Sequence, residues 1–416
     1  MRRALAMLHR WFGLFTATFL FVAGLTGAII AWDHELDGLL NPELFHAEHG
    51  PSLLAPTELA RRLEADDPRL HVSYLPLSLQ PDHTLMVSVV PRIDPHTQQP
   101  YELDFDQVAL DPNSGERRGE RAWGEPSLAR KNLLPFIYRL HYSLHLPTVG
   151  GIDSGMLLLG FVALVWTLDA FVALYISFPN RKVWRKSFAF RFGQGARKLN
   201  FDLHRSSGVW LWPVLLVFAV TAVSMNLQEQ LVRPLVSIFS PLAPNPLDVA
   251  DHGNTSMLAP KITREQILSL ARAEAANADI QAPLGSLYHS SEAGVYAVSF
   301  FEPGADHGDG GLGNPELFFD AESGALRARQ LPGEGSAGDL FMALQFPLHS
   351  GRILGVAGRI FVTVLGLLIA LLSPTGVIIW ARKRQARVVK ARRTDELAPV
   401  RPVRVSHPPQ EPQGST

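Results

Sequence analysis

Four long stretches of this chain carry almost no charge, and no other feature limits its fold as much. Trp11 to Trp32 is 22 residues without a charged side chain. Ser206 to Gln228 gives 23 such residues and Ile360 to Ala381 gives 22. Ser154 to Asn180 holds a single charge, Asp169. A helix needs ~20 mostly apolar residues to cross a hydrocarbon layer of ~30 Å. Inside that layer every backbone N–H and C=O must be paired within the protein, and a helix does this by itself. Four transmembrane helices are therefore expected. The first run is longer than the apolar core of a signal peptide and lacks a clear small-residue cleavage site, so it too reads as a span.

The formal net charge of −1 conceals a strong sorting. Arg2, Arg3 and Arg10 precede the first run. Eight basic residues, from Arg181 to Arg205, lie between runs two and three. Seven more, from Arg382 to Arg393, follow the fourth. By the positive-inside rule these segments and both termini are cytoplasmic. The two long connections are then exterior. Residues 33–135 carry 18 acidic and 9 basic side chains, and residues 227–351 carry 15 and 6. A net −9 on each argues against nucleic acid as a partner. The chain has no cysteine. That excludes disulfides, cysteine-ligated iron–sulfur clusters and covalent C-x-x-C-H haem attachment, so any redox centre must use other ligands.

The chain reads as one plan used twice. "LHRWFG" (8–13) returns as "LHRSSG" (203–208), each opening an apolar run. This register matches His9 with His204, Gly13 with Gly208 and Thr26 with Thr221. Each run leads into an exterior segment with a candidate helix, capped by Thr57 ("TELARRLEA") or by Thr263 ("TREQILSLARAEAA"). Alternating stretches follow, "TLMVSVV" and "YELDFDQVAL" in the first, "GVYAVSFF" and "PELFFD" in the second, and read as half-buried strands. "LHYSLHLPTVGG" (140–151) then matches "LQFPLHSGRILG" (344–355), pairing His145 with His349 and Gly151 with Gly355. His141 falls opposite Gln345. A span, an exterior domain and a returning span, repeated in the same orientation, form a parallel internal repeat.

This topology puts His9 and His204 at the inner face and His145 and His349 at the outer face. Two imidazoles from facing helices are what a six-coordinate haem iron needs, and Gly13, Gly208, Gly151 and Gly355 would leave room for a flat macrocycle. His141 lies one helical turn before His145 and could approach the same site. Asp169 sits deep in the second span, eleven residues before Asn180. An ionisable group there is costly and points to function, such as accepting a bond from a ligating imidazole. Arg352 and Arg359 could pair with haem propionates. His34 is a spare ligand or propionate partner, and Trp166 a candidate to pack on a haem. The loop "PGADHGDGGLGNPE" could touch substrate. "GEGSAG" (333–338) fits G-x-G-x-x-G but lacks the strand–helix–strand setting of a dinucleotide site.

The stretches "LHRWFGLFTATFLFVAGLTGAIIAWDHELDGLLNPEL", "LHYSLHLP", "WTLDAFVALYISFPNRK" and "LHRSSGVWLWPVLLVFAVTAVSMNLQEQLVRP" resemble the PepSY-associated transmembrane proteins. They are most similar to the iron-regulated inner-membrane branch that acts as ferric-siderophore reductases. The resemblance covers roughly residues 5–385. It implies a membrane α-helical protein with two α+β PepSY-like periplasmic domains. It also implies two haem b groups on His9, His204, His145 and His349, with His141 in the same stretch.

The expected segments are helix one (1–33), domain one (34–139), helix two (140–180), a basic loop (181–203), helix three (204–228), domain two (229–343), helix four (344–382) and a disordered cytoplasmic tail (383–416). The implied activity is an oxidoreductase of the bacterial inner membrane. It would take electrons from a cytoplasmic reductant or a quinol and pass them to a periplasmic ferric siderophore. The competing expectation is a non-redox membrane protein that binds or senses a peptide or siderophore, or an accessory subunit of siderophore or haem uptake.

Overall fold

Each of the four apolar runs is a long helix in the computed structural model, which describes residues 1–247, 260–308 and 310–396, with side chains to residue 390. These are α1 (Arg2–Ile30), α6 (Ser154–Ser177), α7 (Ala196–Asn226) and α11 (Gly355–Glu396). All four are long and apolar enough to cross a membrane. They turn bulky apolar side chains outward: Phe161, Phe171, Ile360 and Leu371 are each more than half exposed. That surface suits lipid and not water. The chain is a multi-pass membrane protein. The Pro-rich tail, His407 and His252 lie outside the described residues.

The four helices close into a ring. α1 packs on α11 and α6, and α7 packs on α6 and α11. α1 and α7 therefore face each other across the centre. The α1–α11 crossing depends on small residues. A Cβ added at Gly24 would lie 2.6 Å from the Gly366 carbonyl oxygen, and one at Gly366 would lie 2.5 Å from the Gly24 oxygen. Such close backbone approach is how helices gain packing where lipid removes the hydrophobic drive. At one end of the ring Arg2 Nη2 donates to the Ile176 carbonyl (2.7 Å), satisfying an open carbonyl at the end of α6.

Spans two and four start later than the sequence implies. His141 and His349 sit on separate short helices, α5 (Leu133–Ser143) against α1 and α10 (Ala337–Ser350) against α7. α5 stops because Leu144 and His145 take the left-handed conformation (φ 53° and 55°). A small hairpin follows, β5 (Thr148–Val149) and β6 (Ile152–Asp153), turned by Gly150 and Gly151 at positive φ. Asp153 then caps α6 by accepting from the amides of Gly155 and Met156. α10 opens on a Ser336–Asp339 capping box and closes on Gly351 at φ 75°.

The two long connecting segments build one sheet where two were expected. The first supplies β1 (Leu70–Pro76), β2 (Leu85–Pro91), β3 (Gln107–Leu110) and β4 (Arg117–Arg121), with α2 (Asp33–Leu40), α3 (Pro42–Phe45) and α4 (Pro56–Asp66). The second supplies β7 (Leu284–Ser290), β8 (Val295–Phe300), β9 (Glu316–Asp320) and β10 (Leu326–Gln330), with α8 (Arg233–Ser237) and α9 (Arg264–Asn277). All eight strands are antiparallel neighbours in the order β10-β9-β8-β7-β1-β2-β3-β4. The two segments meet at β1 and β7, with Tyr74 opposite Tyr288 and Leu75 opposite Leu287. One hydrophobic core runs through both, from Leu59, Leu63 and Val87 to Ile267, Val298 and Leu317. Thr263 forms the expected capping box with Gln266, but Thr57 does not cap α4. Pro56 at the first helical position starts that helix two residues earlier, with Ala55 at the cap.

Candidate functional site

The ring of helices encloses two cavities, one above the other. The larger, about 750 Å³, lies toward the end where the basic segments gather. The smaller, about 350 Å³, lies toward the sheet. Both fall within the usual range for ligand pockets, ~300–1,000 Å³. Leu20, Trp166 and Ile369 border both and form the apolar partition between them.

Each cavity is flanked by two imidazoles from opposite sides of the ring. His9 on α1 faces His204 on α7 with ring centroids 6.1 Å apart. His141 on α5 faces His349 on α10 at 6.3 Å. The sequence register had paired His145 with His349, and the geometry corrects that pairing. His145 lies past the end of α5 in the left-handed turn. Its ring stacks on Phe136 and its Nε2 sits 2.8 Å from the Phe136 carbonyl oxygen.

The four paired rings are oriented alike. Both oxygens of Asp169 accept from His9 Nδ1–H, at 2.9 and 3.0 Å. Thr375 Oγ1 lies 3.1 Å from His204 Nδ1, Thr26 Oγ1 3.0 Å from His141 Nδ1, and Thr221 Oγ1 2.9 Å from His349 Nδ1. Each threonine spends its own proton on a carbonyl of its own helix: Leu372, Val22 and Phe218. With the hydroxyl protons on those carbonyls, the threonine oxygens accept from Nδ1–H, the tautomer that leaves each Nε2 unprotonated. The lone pair of each Nε2 is then what each ring has to offer a metal. A partner that fixes tautomer and ring angle in this way is typical of metal-ligating histidine.

Glycines make room for the rings. A Cβ at Gly27 would stand 2.9 Å from His141 Cε1, and one at Gly376 would stand 3.0 Å from His204 Cε1. Gly13 and Gly208 line the larger cavity, with open space where a Cβ would be. Gly151 and Gly355 border neither cavity; both are turn residues at positive φ. The two arginines also part ways. Arg352 is buried and lines the smaller cavity, 3.6 Å from Asp33. Arg359 lines neither. It donates to the Ala31 carbonyl (2.8 Å) and Glu35 (2.6 Å) and lies over Trp32, tying α11 to the end of α1.

The 6.1 and 6.3 Å separations would leave room for one metal ion between the two rings of each pair, with bonds of ~2 Å to imidazole nitrogen. The apolar walls between them suit a flat hydrophobic ligand. Arg2, Arg3, Arg10, Arg205, Lys383 and Arg387 around the larger cavity suit its acidic substituents. Sequence reasoning did not assign roles to Thr26, Thr221, Thr375, Gly27 and Gly376. Only the match of Thr26 with Thr221 carried a signal.

Comparison with curated proteins finds no match. The sequence profile of the PepSY-associated TM region matches residues 6–383, which takes in all four long helices, the sheet and both histidine pairs. By that match the chain belongs to the PepSY-associated transmembrane family.

Proposed function

We propose that the protein is a membrane oxidoreductase of the ferric-siderophore reductase type, with one haem b held by His9 and His204 and a second by His141 and His349. The observation that carries this reading is the common setting of the four imidazoles: paired across a cavity at 6.1 and 6.3 Å, each with Nδ1 within 3.1 Å of a carboxylate or threonine oxygen. Haem b at each pair supplies a reversible one-electron couple, the chemistry needed to reduce a ferric chelate. Asp169 and the three threonines orient the ligands. Leu20, Trp166 and Ile369 keep water out of the partition. The basic cluster receives carboxylates at the larger cavity, and Arg352 does so at the smaller.

The positive-inside rule supports a cytoplasmic larger cavity and a periplasmic sheet in a bacterial inner membrane. Electrons then enter from a cytoplasmic reductant or a quinol. A ferric siderophore is the acceptor on the sheet side. Such chelators hold ferrous iron far more weakly than ferric, so one electron frees the metal without a proton donor or nucleophile.

The test is the visible spectrum of detergent-purified protein with and without dithionite. A reducible, low-spin b-type spectrum at two haems per chain is expected. His9→Ala or His204→Ala should lose one haem, and His141→Ala or His349→Ala the other, while His145→Ala keeps both. Protein from haem-replete cells with no Soret band would leave a non-redox binding role in its place.

A further inference from the structure

At the sheet-side mouth of the smaller cavity, three side chains from distant parts of the chain converge. Asp33 and His34 open α2, just past the end of α1. His307 comes from the loop between β8 and β9. One ligand atom from each lies within 4.8 Å of the others. The two imidazoles stand with centroids 4.8 Å apart, tilted by 33°. Asp306 brings a second carboxylate to within 3.8 Å of His34 Nε2.

We propose that Asp33, His34 and His307 form a binding site for a first-row divalent transition cation, distinct from the two histidine pairs. Two imidazoles and one carboxylate on one side, with other positions open, is the donor set that non-haem ferrous sites use, and it also takes zinc, cobalt or nickel. An independent feature points the same way. Asp33 Oδ1 is buried and has no hydrogen-bond partner. Its nearest cation, Arg352 Nη2, stays 3.6 Å away. The ion pair with Arg352 offsets part of the cost of burying that oxygen, and a bound cation would supply the direct partner it lacks.

The loop bearing His307 is held in place for this role. Gly310 N donates to the Arg352 carbonyl (2.7 Å), and Asn314 Nδ2 donates to the carbonyls of Ala305 and Asp306, both at 2.9 Å. Gly308, at φ 70°, packs so closely on Gly313 that an added Cβ would fall 2.6 Å from its Cα. The site thus needs little ordering on binding, which favours affinity. The cation binds there whatever the histidine pairs hold. That it is the ferrous product of reduction rests on the reductase reading: Asp33, His307 and Arg352 all border the smaller cavity, which places the site beside the centre that would reduce the chelate.

Equilibrium dialysis of the full-length protein in detergent against Co(II) or Zn(II), followed by metal analysis, tests the site. Wild type should bind one equivalent per chain. His34→Ala and His307→Ala should each weaken binding at least ~10-fold. His141→Ala should retain it. His34→Gln, a milder change at an exposed residue, with an unchanged thermal midpoint, separates lost ligation from misfolding. No stoichiometric binding by wild type, or equal affinity in wild type and His34→Ala/His307→Ala, overturns the proposal. Cobalt binding by protein that shows no Soret band when purified from haem-replete cells would leave the cation site standing, the missing Soret band alone having sunk the reductase reading.

Discussion

A carboxylate at position 169 would be costly in a bilayer interior if nothing met it. His9 meets it, and the two oxygens hold Nδ1–H at 2.9 and 3.0 Å. A carboxylate there makes the imidazole a stronger electron donor, which favours the oxidised metal. Asp169→Asn should therefore raise the midpoint potential of the His9–His204 centre and leave the other unchanged, read as one shifted component in a potentiometric titration. Equal shifts in both components would show that Asp169 acts by its charge alone. At the same scale, Gly376→Val should displace His204, whose Cε1 already lies 3.0 Å from where a Cβ would be. Loss of haem from that pair only, measured by pyridine haemochrome, is the expected result. The facing of His9 and His204 could be read from the two "LHR" stretches because both lie within continuous helices. The facing of His141 and His349 could not. The match of His145 with His349 assumed that both stretches stay helical, but Leu144 and His145 turn left-handed and end α5. The histidine that faces His349 is His141, in the last turn of α5, as His349 is in the last turn of α10.

Elements that announce themselves by composition were legible; those defined by what they touch were not. The four spans follow from uncharged length, which lipid demands of any chain. Strands β2, β8 and β9 follow from alternation, with Leu85, Val87 and Val89 buried along one face of β2. Strand β4 ("RRGER") has no apolar side chain, and β10 ("LRARQ") alternates only through Leu326 and Ala328. They are the two edges of the sheet, where arginine discourages pairing with another molecule. The α1–α11 crossing was equally hidden, because Gly24 and Gly366 matter only through each other. Gly24→Leu forces a side chain into a space where even a Cβ comes 2.6 Å from the Gly366 oxygen. Overpacking costs ~1–3 kcal/mol in a well-packed interior, and more where backbone must move. A lower thermal midpoint in detergent is expected, with haem lost from both pairs, since α1 carries His9 and supports α5. A Gly24→Leu protein as stable as wild type would mean that α1 and α11 do not cross here.

In the whole molecule, a polar cluster crosses the β1–β7 seam at which the two halves of the sheet meet. Glu64 of α4 accepts from Arg264 of α9 (2.5 Å) and pairs with His71 of β1 (2.9 Å). His71 Nε2 in turn lies 3.0 Å from His289 Nδ1 on β7. Burial pushes the His289 imidazole down to about 3, and the neighbouring His71 and Arg264 add to the shift. Burial alone would raise Glu64, but the hydrogen bonds from His71 and Arg264 outweigh it and hold the carboxyl well below its usual range. Both shifts make acid the destabilising direction. An unfolded histidine takes up its proton near pH ~6.5. The neutral, buried His289 therefore contributes its full stability above that pH and loses it progressively as pH falls toward 3. Glu64 contributes above its unfolded value of ~4.3 and loses its share below it. Amide hydrogen exchange, corrected for intrinsic rate, should show Leu75 and Leu287 losing protection between pH 6.5 and 4.5 while the β8–β9 pairing of Val298 with Leu317 persists. His289→Gln should flatten that dependence above pH 4.5, because it removes the group that titrates first. If the seam and the β8–β9 pairing open together with an unchanged pH profile in His289→Gln, the cluster does not control the junction and the eight strands unfold as one unit.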